Sequence, residues 1–242
     1  MINIDLDRFK EDSTLVVSES FVSNVFMWMF AALGITALTA YFFGTTEELL
    51  NLLFQQTSNG EKVTILGWIA ILAPVFLVYF IARRVEKMRF SVMVILFLVY
   101  SVLMGLSMSF IFTEYTDTSI YRTFLIAAGM FGIMAIIGYT TKKDLSKLGS
   151  ILMLALIGLI IAMFINIFLH SQAFDYMISI IGVVIFTGVT AYDMQAIKKV
   201  GMVGFENHET MAKTSIRAAL TMYLDIINLF LYLLRFFGKA RR

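Results

Sequence analysis

Apolar residues run along this chain in long blocks separated by short polar joints. Seven blocks come close to the ~20 residues that carry a helix across a bilayer, at about 22–43, 63–82, 90–112, 120–141, 149–169, 174–195 and 212–237. The joints are short. The pattern therefore predicts one polytopic membrane domain at 22–237, an N-terminal tail at 1–21 and a basic tail at 238–242. Acid interrupts the last two blocks: Asp193 lies at the lip of one and Asp225 inside the other. An ionisable group at membrane depth is costly, so it commonly faces a bundle interior and takes part in ion or proton handling.

Composition agrees with the blocks. Of the 242 residues 60% are hydrophobic and 15% charged, and the mean hydropathy is +0.85. A water-soluble domain uses about half apolar and about a quarter charged residues, too little apolar surface to match. The opening run MINIDLDRFKEDST is polar and has no short apolar core before a cleavage site, so the first block reads as a retained span. Cysteine is absent, which excludes disulfides and thiolate metal sites. A net charge of +2, with basic residues at block ends instead of in a stripe, does not suggest nucleic acid.

Orientation follows from the basic joints. Arg83, Arg84, Lys87 and Arg89 fall in one, Lys142, Lys143 and Lys147 in a second, and Lys198, Lys199 and Lys213 in a third. The positive-inside rule places these joints and the N-terminus in the cytoplasm. Seven spans would then leave Arg235, Lys239, Arg241 and Arg242 outside, against the rule. Either six earlier spans fix the topology and the tail is tolerated, or the last block is re-entrant; seven full spans is the preferred reading. The outer joints carry Glu47, Glu48, Glu61, Glu114, Asp117 and Asp175 against Lys62 and Arg122. The simpler reading is a solvated surface. The functional one is a weakly negative vestibule that concentrates cations.

Two polar stripes carry the candidate chemistry. Thr221, Asp225, Asn228, Tyr232 and Arg235 recur at steps of four, three, four and three, one face of a helix. Thr187, Thr190 and Asp193 follow at steps of three on the preceding span. These spans run in opposite directions, so both aspartates fall in the cytoplasmic half. Two carboxylates held close in low dielectric resist carrying two charges and tend to share one proton. They could also bind Ca2+ through oxygen, with Thr, Asn and water completing the shell. The structural alternative is that Asp193 caps or snorkels at a helix end. Arg83 and Arg84 end the second span at the same depth and could latch onto an aspartate, although helix-end arginines are commonly interfacial anchors.

Other features admit simpler readings. Pro74 lies mid-span, where it is expected to kink the helix. Ala128/Gly132 and Gly158/Ala162 have the spacing of close helix packing. His170 and His208 fall in predicted loops and cannot make a histidine zinc site.

The runs TAYDMQAIKK around Asp193, MYLDIINLFLYLLRFFG around Asp225 and KKDLS after the fourth span resemble the Bax inhibitor-1 family, bacterial YetJ-like members most closely. The resemblance covers all seven spans in order. It implies an all-α integral membrane protein, a seven-transmembrane-helix bundle with the last helix central, in the bacterial inner membrane. It further implies a pH-sensitive calcium leak, with Asp193 and Asp225 as the proton-sensing dyad and Arg83 or Arg84 as latch. Thr187, Thr190, Thr221, Asn228 and Tyr232 would line a polar path. Two departures concern the outer half: Phe110 stands where relatives often have proline after the GLS run, and the second span lacks an acidic residue. YccA-like and eukaryotic relatives suggest an alternative, a regulator that binds a membrane protease or cell-death partner. Enzymes fit least. The histidines lie outside the spans, Lys213 lies only at a span mouth, and Tyr-Leu-Asp at 223–225 is not the Gly-x-Gly-Asp of aspartyl intramembrane proteases. No catalytic residue and no resident cofactor is expected; the expected partners are the bilayer and the calcium ion.

Overall fold

The computed structural model describes residues 6–57, 60–84 and 88–241; side chains at 6–18, 56–61 and 82 lie outside that description. Expectations resting on residues 1–5, Lys87, Arg242 and the Glu61 side chain therefore fall outside the described set. In chain order the elements are α1 Leu6–Thr45, α2 Glu47–Leu53, β1 Phe54–Thr57, β2 Gly60–Val63, α3 Ile65–Arg84, α4 Phe90–Met108, α5 Ile111–Glu114, α6 Asp117–Thr140, α7 Ser146–Leu169, α8 Gln172–Val203 and α9 His208–Phe237.

Among the described residues, six helices are long and apolar enough to cross a membrane: the α1 segment Glu19–Thr45, Phe90–Glu114, α6, α7, α8 and α9. The chain is thus an all-helical membrane protein apart from one small hairpin. α3 is shorter in its apolar part, Ile65–Ile81, and continues through Pro74. Two features add to the expected pattern. The joint after α2 is an antiparallel β1–β2 hairpin pairing Phe54 with Val63. The polar start is helical from Leu6, continuous with the first span.

The loops sort to two ends. At one, Phe21 of α1 packs on Phe205 of the α8–α9 joint, and the α6–α7 joint is held against α8. At the other, Tyr41 packs on Phe112, Phe54 on Phe110 and Tyr176 on Phe236. The C-terminal segment lies at this second end. Thr116 N donates to Lys239 O at 3.1 Å and Arg241 N to Glu114 O at 2.9 Å, making a bridge between Tyr115 and Ala240. α9 therefore runs from one end of the bundle to the other. Its basic tail meets the acidic joints: Arg235 pairs with Asp175 at 3.3 Å and Arg241 with Asp117 at 3.7 Å.

Burial grades the spans. The most apolar window of α7 is 11% buried, that of α9 61%. α9 packs against α8, α1, α6 and α4. Its buried residues include Met222, Tyr223, Ile226, Leu229, Leu233 and Leu234. Exposed Leu154, Ile157 and Phe168 on α7 make sense against lipid tails, which are as apolar as a core. Close helix approach occurs at glycines other than the expected pairs. A Cβ on Gly138 of α6 would run into the Ala191 carbonyl of α8, and one on Gly182 would meet the Tyr232 ring at 2.6 Å. Gly132 and Gly158 have nothing within 4 Å of that position, because the α6 and α7 faces that carry them are not covered by a helix of this chain.

Candidate functional site: an aspartate pair between α8 and α9

α8 and α9 are joined by a tight turn at Gly204–Asn207, where the Asn207 side chain caps α9 by accepting from Thr210 N at 2.8 Å. The two helices therefore lie side by side in opposite directions. This brings Asp193 and Asp225 together with their carboxyls within hydrogen-bonding reach of each other. Asp225 is 4% exposed and its Oδ2 is enclosed without a hydrogen-bond partner. Asp193 is half-buried. An enclosed carboxyl set against a second carboxyl can satisfy its oxygens by sharing a proton, by binding water or by taking up a cation. Among the described residues no group of three or more His, Cys, Asp or Glu gathers at a point, so the pair itself is the acidic feature of the interior.

The surrounding motif residues fix α8 in place. Gln195 Nε2 donates to Lys143 O at 2.8 Å and Gln195 Oε1 accepts from Leu145 N at 2.9 Å, so one amide pins the α6–α7 joint. Lys198 Nζ donates to Tyr139 O at 2.7 Å and lies over the Tyr139 ring, 4.9 Å from its centroid. Lys199 pairs with Asp144 at 2.7 Å. The KKDLS and QAIKK runs, about fifty residues apart, thus form one contact beside Asp193. Asp144 lies outside the spans, and its carboxyl is held down at about 2, first by the hydrogen bond from Lys199 and then by those from Ser146.

The remaining expected residues are less closely gathered. Thr187 Oγ1 donates to Val183 O at 2.6 Å, Thr190 to Phe186 O at 2.8 Å, Thr221 to Arg217 O at 3.3 Å and Asn228 Nδ2 to Leu224 O at 2.8 Å. Each bonds back to its own helix, leaving the Thr and Asn oxygens as acceptors. Tyr232 OH donates to Met163 Sδ at 3.1 Å and its ring stacks on Phe186. No hydrogen bond among the described residues links these five to one another. Arg83 and Arg84 are exposed at the end of α3, their guanidiniums over the rings of Tyr79 and Phe80 one turn earlier, at 4.9 Å and 5.4 Å. Among the described residues neither makes an ion pair. His208 is the first residue of α9, not a loop residue.

Two features escaped the sequence reading. Tyr223, two residues before Asp225, hydrogen-bonds Thr36 of α1 at 2.7 Å, and Thr36 donates to Ser101 O of α4 at 2.9 Å. Its ring also meets Phe97 and Tyr100, so the helix carrying Asp225 is tied to α1 and α4. Arg217 lines the same recess as Asp193. Its spacing, four before Thr221 and eight before Asp225, extends the polar stripe and was a usable signal.

Comparison with known proteins identifies the family. The family described as "Inhibitor of apoptosis-promoting Bax1" matches residues 18–242. The chain belongs to the Bax inhibitor-1 family. It is 39% identical over 241 residues to the inner membrane protein YbhL of Escherichia coli K12, covering 98% of this chain and all of that one. An uncharacterized protein of Borreliella burgdorferi is 39% identical over 236 residues, covering 98% and 99% of the two chains. One of Rickettsia prowazekii is 40% identical over 221 residues, covering 91% and 90%. The Bax inhibitor-1 match therefore takes in both aspartates and every described span.

Proposed function

We propose that this protein is a pH-sensitive cation leak, for Ca2+ in the first place, gated by the proton shared between Asp193 and Asp225. The supporting observation is the pair itself: two carboxyls within reach of each other, one of them enclosed with an unpartnered oxygen. With one shared proton the pair is a hydrogen bond that holds α8 to α9. Without it, two like charges face each other in low dielectric, and the contact either opens or is bridged by a hard divalent cation. In this reading α3 is a seventh span, since its 20 residues reach about 30 Å. α9 is the central helix, and no step makes or breaks a covalent bond. The basic end faces the cytoplasm, and the inner membrane is the location, as the name of the Escherichia coli relative says of that protein. Arg83 or Arg84 acts as a latch only if α3 shifts so that a guanidinium leaves its own helix's ring for an aspartate.

The test is calcium flux into liposomes containing the purified protein, followed against pH. The wild type is expected to follow a one-proton curve, its flux changing about threefold across the pH unit centred on the midpoint and approaching tenfold per pH unit only where the conducting form is scarce. Asp193→Asn combined with Asp225→Asn should flatten the profile. An unchanged profile in that double variant would overturn the reading.

A further inference from the structure

At the basic end a recess of about 310 Å³ opens between α1, α8 and α9, with Asp193 in its lining. Val200, Thr214, Arg217, Ala218 and Thr221 form much of its wall. Exposure falls inward. Arg217 and Val200 are exposed, Thr214, Ala218, Thr221 and Asp193 are half-buried, and Asp225 is buried. Thr214, Arg217, Thr221 and Asp225 follow at steps of three, four and four, so the recess tracks one face of α9 toward the pair. Arg217 lies about 12 Å from Asp225 along the helix axis.

Among the described side chains at this end, Glu206 of the α8–α9 joint is exposed and the charges nearest the recess are engaged or turned outward. Lys199 pairs with Asp144, Lys213 with Glu209 at 2.8 Å, and Lys198 is held on the Tyr139 carbonyl and ring. Glu19 of α1 and Lys147 of α7 are exposed, and α6 presents Tyr139 without a charged residue near this end. Arg217 makes no ion pair among the described residues. Among the residues that line the recess it is the one cation, and it lies at the exposed rim.

We propose that this recess is the aqueous entrance to the aspartate pair from the basic end. Arg217 sets its charge and favours anions over cations at the mouth. As a specificity-determining residue it would slow cation arrival at Asp193 and leave proton exchange to water along the Thr214–Thr221 face. The inference deepens the dyad reading but can be tested without flux.

The chain has no cysteine, so single cysteines can be introduced without altering the background. Thr221→Cys, with Ala218→Cys as a second reporter should the first fail to fold, would be placed in lipid nanodiscs. Each would be treated with a cationic and an anionic methanethiosulfonate of similar size. Leu154→Cys on the lipid-facing side of α7 is the control. The recess cysteines are expected to react with both reagents while Leu154→Cys does not. Adding Arg217→Gln should raise the cationic-to-anionic rate ratio by about threefold to tenfold, as removal of one charge some 10 Å away implies; Arg217→Lys should preserve it. Unreactive cysteines at both 218 and 221, or a ratio indifferent to Arg217→Gln, would overturn the proposal. Neither rate involves calcium, so such a failure leaves the gate reading standing. A flat response of flux to the dyad variant would instead remove the gate alone.

Discussion

The two ends of this bundle use carboxylates in opposite ways. At the end opposite the basic joints Asp175 faces Arg235 and Asp117 faces Arg241. Each is a pair of unlike charges open to solvent, 40% exposed in the first and 54% in the second. Between α8 and α9, nearer the basic end, Asp193 faces Asp225, a pair of like residues with one oxygen enclosed. An exposed pair of unlike charges is a weak fastener whose strength water and salt divide down. A buried pair of like residues has no comfortable fully ionised state, so its protonation and its helix contact are linked. Position, not residue type, separates a tether from a switch.

The largest effect is expected where that contrast is removed. Asp225→Asn alone leaves Asp193 beside a neutral amide and should abolish the pH dependence of calcium flux, a loss of at most about tenfold per pH unit. Asp175→Asn should leave the profile in place, and an equal effect from both would erase the distinction between the ends. Next comes the packing that holds α8 still. Gly138→Ala drives a methyl into the Ala191 carbonyl and should cost about 1–3 kcal/mol, measured as thermal unfolding in detergent, with Gly132→Ala as a control that meets open space. Tyr223→Phe removes the buried bond to Thr36 and should cost about 1 kcal/mol. Removing the outer ion pair with Asp175→Asn and Arg235→Gln, both 40% exposed, should cost less than about 1 kcal/mol and less still at high salt.

Asp144 completes the order with the smallest effect. Its folded-state value is depressed to about 2 by Lys199 and Ser146. Any stability from that pair is present above the ordinary carboxylate range and lost only as pH falls toward about 2. Asp144→Asn should therefore leave both the unfolding midpoint and the flux profile near neutral pH within error. A shifted flux profile in that variant would move the pH sensor from the membrane interior to the α6–α7 joint.

The span boundaries were close to legible, because bilayer thickness imposes a block length that no tertiary contact can override. The two aspartates were legible for the same reason: charge inside an apolar block stands out in a single sequence. Other features were not. Gln195 carries no signal that it bridges to Lys143 and Leu145, and Tyr223 reads as one more aromatic until Thr36 is found opposite it. The small-residue pairs misled because spacing shows where a helix could approach, not whether one does; Gly138 packs while Gly132 faces open space. The arginines at 83 and 84 lie over the rings of Tyr79 and Phe80 one turn earlier, a contact within α3 that shared depth along the membrane normal does not show.

By itself, then, the sequence determined which segments are apolar enough to leave water and which groups would be expensive there, because transfer cost depends on residue type and block length alone. Only the tertiary structure decided that Asp193 and Asp225 meet, that the basic tail folds back onto acidic joints, and that Arg217 stands at a recess leading to the pair. Those depend on which helices are neighbours and how each is turned about its axis, and in a bilayer close packing and a few buried hydrogen bonds make that choice.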